Sequence, residues 1–484
     1  MLYFIDNYYK MVKIKEELLN KTLYIPLEII DREIDGGCLL AMEAVARGWK
    51  VIIGSQRTIT KNIETNEIGI YFLKSITPGQ INLQKRIANS GSLIFTQDAE
   101  GLLQRPGMEY KMRFSKESIE IAKKIFFWGE KQKKDFLQVF GSKYESKCIV
   151  TGSPRADHWE LTSRSTKLKA NPKYILIATS FGNENHALGD SGQYNLAKEE
   201  AGIKYGANSL EEFNKYFNDT YQLGTFLIPH YKKLLVDLSK SFPREEIILR
   251  PHPSESLEMW LNITSSLHNV SLRNDGSIVD WLNKSKVLIQ YGSTCAIQAN
   301  ILEVPVVSLI PDLPKNIESY DLEDSRNASC VYKNTNQLVE DFKKFLKGEL
   351  SLYPSSKDYI DKLILSRKTV DSSKRIMRVI DNIYEKTKTV KVTSNKGGLK
   401  FKFKINQIKQ YIVLFFSLFP YWQKLGPKKY RHLSLKTFLY YKKRKQPYQS
   451  ITEFENRIEY LKKLSSFKKD IKIKSFKKDV FEMM

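Results

Sequence analysis

Two residues of the stretch "ILRPHPSE" (248–255) are suited to an anion: Arg250, which ends an apolar run, and His252, held between Pro251 and Pro253. Prolines that close together forbid helix and ladder pairing, so the chain turns there and a stiff backbone aims the imidazole. Further on, "YGSTCAIQA" (291–299) follows a second apolar run. Gly292 permits a tight turn, and Ser293 and Thr294 bring two hydroxyls to the start of a helix, a combination suited to phosphate. After a third run, "TSFGNENH" (179–186) offers Ser180, Asn183 and His186 around Gly182. Each motif has a plainer reading. Ser293-Thr294 makes a helix cap worth about 1 kcal/mol, His252 a turn histidine bonded to backbone, and "SFGNEN" an ordinary polar loop. Their shared position after successive strands of one sheet favours a site for a phosphate ester or nucleoside diphosphate. In the first part of the chain, "TQDAEGLL" (96–103) carries Asp98 and Glu100, carboxylates able to take a proton from a hydroxyl. Solvated loop carboxylates are the plainer reading there.

The elements that must position these residues follow from hydrophobic patterning. "KTLYIPLEI" is a strand candidate, Gly37–Arg47 reads as a helix, Gly48 as a turn and Lys50–Ile53 as a strand, together a βαβ unit. "IGIYFLK", "SLIFTQD", "KIFFWG" and "CIVTGS" continue as strands, with helices at "SKESIEIAKK" and "EKQKKDFLQVFG". The alternation restarts at "KYILIATSFGNENH". An insertion over 187–222 precedes the helix "YQLGTFLIPHYKKLLVDLSKSF", and strands "EEIILR", "VSLRND", "KVLIQYG" and "VPVVSLI" follow with helices between them. The expectation is an α/β protein with two doubly wound, Rossmann-like domains, 1–155 and 156–350, facing each other across a cleft at the carboxyl ends of their strands. Residues 351–392 read as helices packing back on the body. Residues 393–484 read as a basic, amphipathic, helical tail reached through the linker "TSNKGG". "TGSPRAD" (151–157) marks the interdomain crossover, and Arg155 either belongs to that crossover alone or lines the cleft.

Of the 484 residues, 78 are Lys or Arg and 54 Asp or Glu, a formal charge of +24. Residues 391–484 hold 24 basic and 6 acidic residues, +18, which leaves +6 for all the rest. The basicity belongs to the tail and not to the folded body, which argues against a nucleic-acid partner. Residues 399–448 alternate apolar clusters ("YIVLFFSLFPYW", "LKTFLYY") with basic ones ("KFKFK", "PKKY", "KKRK"), the pattern of a segment lying on an anionic membrane surface. A solvated tail, or helices packed on the body, are the plainer readings. The longest apolar stretch is too short to span a bilayer and contains Pro420. Cys38, Cys148, Cys295 and Cys330 lack metal-ligand spacing and imply a reducing compartment. The first residues lack the pattern of a secretory signal. The expected location is cytoplasmic, peripheral at the inner face of the cytoplasmic membrane.

The order of these motifs resembles that of a known group. "RPHP" after a strand, followed by "YGSTCAIQA", is similar to the bacterial GT-B glycosyltransferases that use CMP-activated acidic sugars, the sialyltransferases and capsule Kdo transferases. Their shared marks are an HP dipeptide, a Ser/Thr pair and an acidic-acidic-Gly motif. "TQDAEGLL" resembles the last of these, with Ala99 inserted between Asp98 and Glu100-Gly101. "PLEIIDREIDG", "WGEKQ", "TGSPRAD", "TSFGNENH" and "ILRPHPSE" together resemble the surface carbohydrate biosynthesis proteins of bacterial polysaccharide loci, over residues 22–345. The resemblance implies a GT-B-like fold, with Asp98 or Glu100 deprotonating the acceptor hydroxyl, His252 contacting the donor phosphate, and Ser293 and Thr294 holding it. The loop reading adds Ser180, Asn183, Arg250 and Gly292 to this phosphate- and nucleotide-binding set. Gln298 stands where many GT-B helices carry a ribose-binding Glu; it bonds a hydroxyl but brings no charge, so the nucleotide stays open. No Asp-x-Asp follows a strand, so the transfer is expected to use no metal and no other cofactor.

The expected function is a glycosyltransferase of bacterial surface polysaccharide synthesis. Its partners would be a nucleotide sugar, CMP-linked acidic sugars first, a glycan or lipid-linked acceptor, and an anionic membrane surface. Three other readings stand. One is a CDP-glycerol-type glycerophosphotransferase, which needs a second histidine and finds only His158 upstream of residue 180. The others are a two-domain UDP-sugar epimerase and a non-catalytic, membrane-associated nucleotide-sugar-binding protein.

Overall fold

The computed structural model describes residues 13–394 and 450–484, apart from residues 62, 104, 106, 166–170, 354–358, 388 and 478. The first domain holds strands β2 (Thr22–Leu27), β3 (Lys50–Ser55), β4 (Ile70–Leu73), β5 (Leu93–Gln97), β6 (Lys124–Phe127) and β7 (Cys148–Val150). All six run parallel. Every side chain of β2 is buried, as an unbroken apolar run in a sheet covered on both faces requires. The second domain holds β8 (Tyr174–Ala178), β9 (Glu246–Arg250), β10 (Val270–Leu272), β11 (Ser285–Gln290), β12 (Val306–Leu309) and β13 (Cys330–Tyr332), again all parallel. Its strands lie in the order β10-β9-β8-β11-β12-β13. Counted within the domain, that is the doubly wound order 3-2-1-4-5-6, whose reversal between β8 and β11 opens a crevice at the carboxyl ends. The fold is therefore GT-B-like: two Rossmann-like domains facing across a cleft. A separate antiparallel ribbon joins β1 (Lys13–Leu18) to β14 (Thr389–Ser394).

Three features depart from the patterning. The helix expected at Gly37–Arg47 begins at Ile30 and runs to Ala46. Gly36 and Gly37 suggest a helix boundary, yet they serve close approach within the helix. A Cβ on Gly36 would stand 2.8 Å from Arg155 Cγ, and one on Gly37 3.1 Å from Leu27 Cδ2. The insertion over 187–222 carries two helices, Asp190–Glu200 and the start of Leu210–Ser241. The insertion reaches back to the first domain, where Tyr216 donates to Glu109 (2.6 Å) and Asn208 Nδ2 to the Lys111 carbonyl (2.9 Å).

The third departure is a correction to the tail. Residues 450–484 belong to the first domain. β16 (Val480–Met483) adds antiparallel to the free edge of β3, with Met483 opposite Val51, and β15 (Ile473–Lys477) adds to β16. The helix Ile451–Ser465 buries Phe454, Ile458 and Leu461 in the core that includes the helix Ile30–Ala46, and Phe454 stacks on Phe481 at 4.2 Å. The driving force is an unpaired strand edge beside an apolar face, which charge counting does not see. Residues 399–448, on which the membrane expectation rests, lie outside the described residues. Among the described residues no helix is long and apolar enough to cross a membrane.

Candidate functional site

A cavity of about 590 Å³ opens at the switch point of the second sheet, a size suited to a small organic ligand. Ala178 of β8 pairs in register with Arg250 of β9 on one side and Gln290 of β11 on the other, so the loops leaving these three strands converge. The first domain faces them with the opening turns of the helix Ile30–Ala46, and the crossover helix Pro154–Arg164 forms a third wall.

The "RPHPSE" loop is built around its last residue. The buried Glu255 carboxylate accepts from Thr179 Oγ1 (2.8 Å), Phe181 N (3.1 Å), His252 N (2.9 Å) and Trp260 Nε1 (2.9 Å). Burial pushes its carboxyl up, and these donors oppose that rise. One side chain thereby ties together the strand ends and the turn that presents His252, which lines the cavity. Ser254 N–H donates to His252 Nδ1 (3.3 Å), and Ser254 Oγ lies 2.6 Å from the same atom, which assigns the ring proton to Nε2. Arg250 is 8% exposed; its Nη2 donates to the Gly276 carbonyl (2.7 Å), while its Nε is buried without a partner. Burial pulls its pKa down.

The "YGST" loop is set by Gln290. Its Oε1 accepts from Ser293 N (3.0 Å), and its Nε2 donates to Ser308 and Ser329 (2.7 and 3.1 Å). Gly292 sits at φ +57°, the left-handed conformation that favours glycine, which turns Ser293 and Thr294 into the cavity lining. Gln298 also lines the cavity, and its Oε1 is buried without a donor. Ser180 and Asn183 do not line it. The Ser180 hydroxyl donates to the Tyr291 carbonyl, and Asn183 Oδ1 accepts from Gln193 (2.7 Å), so both brace loops. His186 braces as well, through the bridge pairing its backbone with Glu255.

Asp98 and Glu100 stand behind the wall rather than in it, contrary to the expectation of a base facing the cleft. Asp98, 1% exposed, accepts both arms of Arg113 at 2.6 and 2.9 Å. Glu100 pairs with Arg32 (2.5 Å) and Arg113 (3.3 Å), and these guanidiniums, Arg32 first, hold its carboxyl well below the usual range. Between them, the Ala99 carbonyl accepts from Arg155 Nη1. The acidic motif thus holds two arginines that line the cavity, Arg32 and Arg155. Its partners Arg32 and Arg113 lie on other elements, so composition alone leaves the pairing invisible.

The first-domain residues that do line the cavity include Asp31, Arg32 and Asp35, with Arg155 and His158 from the crossover helix. Asp31 is exposed and makes no ion pair among the described residues. Asp35 lies 3.8 Å from His158 Nε2 and 3.2 Å from Arg457 of the C-terminal helix. Burial lowers the His158 pKa, which keeps the ring neutral. The signal for Asp31 and Asp35 was their four-residue spacing, which places both on one helix face once the helix includes them.

No protein-family model matches this chain, and no curated protein matches it. Among solved structures, it is similar to one described as a UDP-N-acetylglucosamine 2-epimerase from Listeria monocytogenes, at 14% identity, 76% of this chain, 98% of that chain and a TM-score of 0.46. The wall teichoic acid polymerase TagF aligns at 15% identity over 76% of this chain and 89% of its own, TM-score 0.44. The S. aureus MnaA–UDP structure aligns at 13% over 75% and 97%, TM-score 0.45.

Proposed function

We propose that this chain is a glycosyltransferase of bacterial surface carbohydrate synthesis. It takes a sugar from a nucleotide donor, a CMP-linked acidic sugar first, to a hydroxyl of a glycan or lipid-linked acceptor. The observation that carries the reading is Arg250. Its guanidinium is buried at the switch point of a 3-2-1-4-5-6 sheet, has no carboxylate within 4 Å among the described residues, and keeps an unpartnered Nε beside the cavity. An uncompensated buried cation is costly unless an anion completes it. His252, Ser293 and Thr294 line the same space, and Gln298 Oε1 awaits a donor such as a ribose hydroxyl.

In this scheme the acceptor oxygen bonds to the anomeric carbon as the bond from that carbon to the phosphate oxygen breaks. The electron pair leaves with the phosphate, where Arg250 and His252 stabilise it. The acceptor proton passes to a carboxylate. Asp31 suits that role, because Asp98 and Glu100 are held by arginines and Asp31 is not. No step uses a metal. A lipid-linked acceptor suits the basic and apolar pattern of residues 399–448.

Thermal unfolding of the full chain with CMP-, CDP- and UDP-sugars tests the reading, since a ligand at a hundredfold its Kd stabilises by about 2.7 kcal/mol. Protection by a CMP-sugar is expected; no protection by any nucleotide overturns it. Asp31→Asn should lower turnover by about 10²–10⁴ with donor binding intact. One observation favours the CDP-glycerol-type glycerophosphotransferase as a second reading: the neutral His158 lines the cavity beside Asp35. Protection by CDP-glycerol alone would select it.

A further inference from the structure

We infer that the ligand of this cavity carries two anionic centres, and that Arg155 of the crossover helix holds the second while Arg250 holds the first. The inference rests on the nucleotide reading of the same site and narrows the donor. It is either a nucleoside diphosphate ester, or a nucleoside monophosphate ester of a sugar that bears its own carboxylate.

Arg155 is fixed in place without being neutralised. Its guanidinium lies 5.7 Å from the Trp128 ring and 5.4 Å from the Trp159 ring, and Nη1 donates to the Ala99 carbonyl. Its Nε is buried without a partner, and no carboxylate lies within 4 Å among the described residues. Aromatic faces and a carbonyl orient a cation but supply no opposite charge. The carboxylates acting on it from further off, Glu33 and Glu100, are already engaged, with Lys74 and Arg32 in one case and with Arg32 and Arg113 in the other. Burial, and then Arg32, pull its pKa down to about 10, so it is still charged at neutral pH. The helix Ile30–Ala46 approaches the Arg155 stem so closely at Gly36 that a side chain there would meet it.

On the facing bank Arg250 likewise keeps a buried Nε without a partner and no carboxylate within 4 Å among the described residues. Asp31 and Asp275 act on it only from further off, and Asp275 is engaged by Arg273. Arg155, Arg250 and Cys295 all line the same cavity, and both guanidiniums act on the Cys295 thiol. Burial raises that thiol, which stays protonated and compensates neither. Two cations that line one space without a paired carboxylate leave one unmet by a single phosphodiester. A diphosphate, or a phosphate plus a carboxylate, meets both.

Calorimetric titration of the full chain with UMP, UDP, CMP, CDP and CMP-N-acetylneuraminate tests this. At least one two-anion ligand should bind wild type about tenfold or more tighter than the monophosphate of the same base. Arg155→Gln should shrink that advantage to within about twofold while leaving monophosphate affinity nearly unchanged. An advantage for UDP or CDP assigns the second anion to a diphosphate, and one for CMP-N-acetylneuraminate assigns it to a sugar carboxylate; either supports the inference. A wild-type advantage below about twofold overturns it without any variant, as does an undiminished advantage in folded Arg155→Gln. Binding of monophosphates without the advantage sinks this inference alone. If wild type binds none of the five, the nucleotide reading falls and this inference with it.

Discussion

The two banks of the cleft handle charge in opposite ways. On the first-domain bank, Lys74, Arg32 and Arg113 are matched by Glu28, Glu33, Asp98 and Glu100, and Asp35 is matched by Arg457. On the second-domain bank Arg250, and on the crossover wall Arg155, have no carboxylate within 4 Å among the described residues. Asp31 apart, the matched bank is a finished structure whose ions stabilise each other. The unmatched residues keep their charge for something that arrives from outside. The sheets differ in the same sense. The second closes within residues 174–332, whereas the first is completed by strands more than four hundred residues further along the chain.

The largest expected effect tests how far the first bank depends on its distant strand. Deleting residues 450–484 exposes the sites of Phe454, Ile458, Leu461, Phe481 and Met483. At about 1.5–3 kcal/mol for each buried side chain, the loss is on the order of 10 kcal/mol, comparable with the whole stability of an ordinary domain. The truncated protein should be insoluble or lack a cooperative unfolding transition; a soluble product melting like the full chain would show the segment to be an ornament. Next comes the charge contrast itself. Asp98→Asn breaks a buried bidentate pair and should cost about 3–5 kcal/mol in denaturant unfolding. Arg250→Gln removes an unmatched cation and should leave the ligand-free protein unchanged or about 1 kcal/mol more stable, while abolishing stabilisation by nucleotides. Equal costs for the two variants would erase the distinction between the banks. The smallest effect concerns Glu100, whose folded pKa is depressed by Arg32 and Arg113. Its contribution is present above the unfolded value of about 4.3 and is lost as pH falls through the folded one. Glu100 is 43% exposed, so solvent screens much of the effect. Melting curves of Glu100→Gln should lie slightly below wild type at pH 7 and converge with it under acid; a gap that widens on acidification contradicts the pairing.

Much of this was legible because it is local. The strands are apolar runs bounded by turns, and Arg250, His252, Ser293 and Thr294 follow such runs directly, so their meeting follows from sheet order. Asp98 and Glu100 were legible as a motif but not as a pairing, because Arg32 and Arg113 lie on other elements. Gly36-Gly37 resembled a helix boundary because close packing against Arg155 and Leu27 demands the same residue as a turn does. That misplaced start hid Asp31 and Asp35. In the last segment, the basic count outweighed a four-residue buried strand, Val480–Met483, whose partner edge lies at the other end of the chain.

That pairing has a consequence for how the protein is made. β3 leaves the ribosome early, and its outer edge has no neighbour until β16 follows. At about 5–20 residues per second the wait is roughly 20–90 seconds. During that time an open, apolar strand edge is available to any other strand, which is the usual start of aggregation. The second domain can meanwhile close on its own residues. The domain made first is therefore the one finished last, and chaperone demand during synthesis should centre on it.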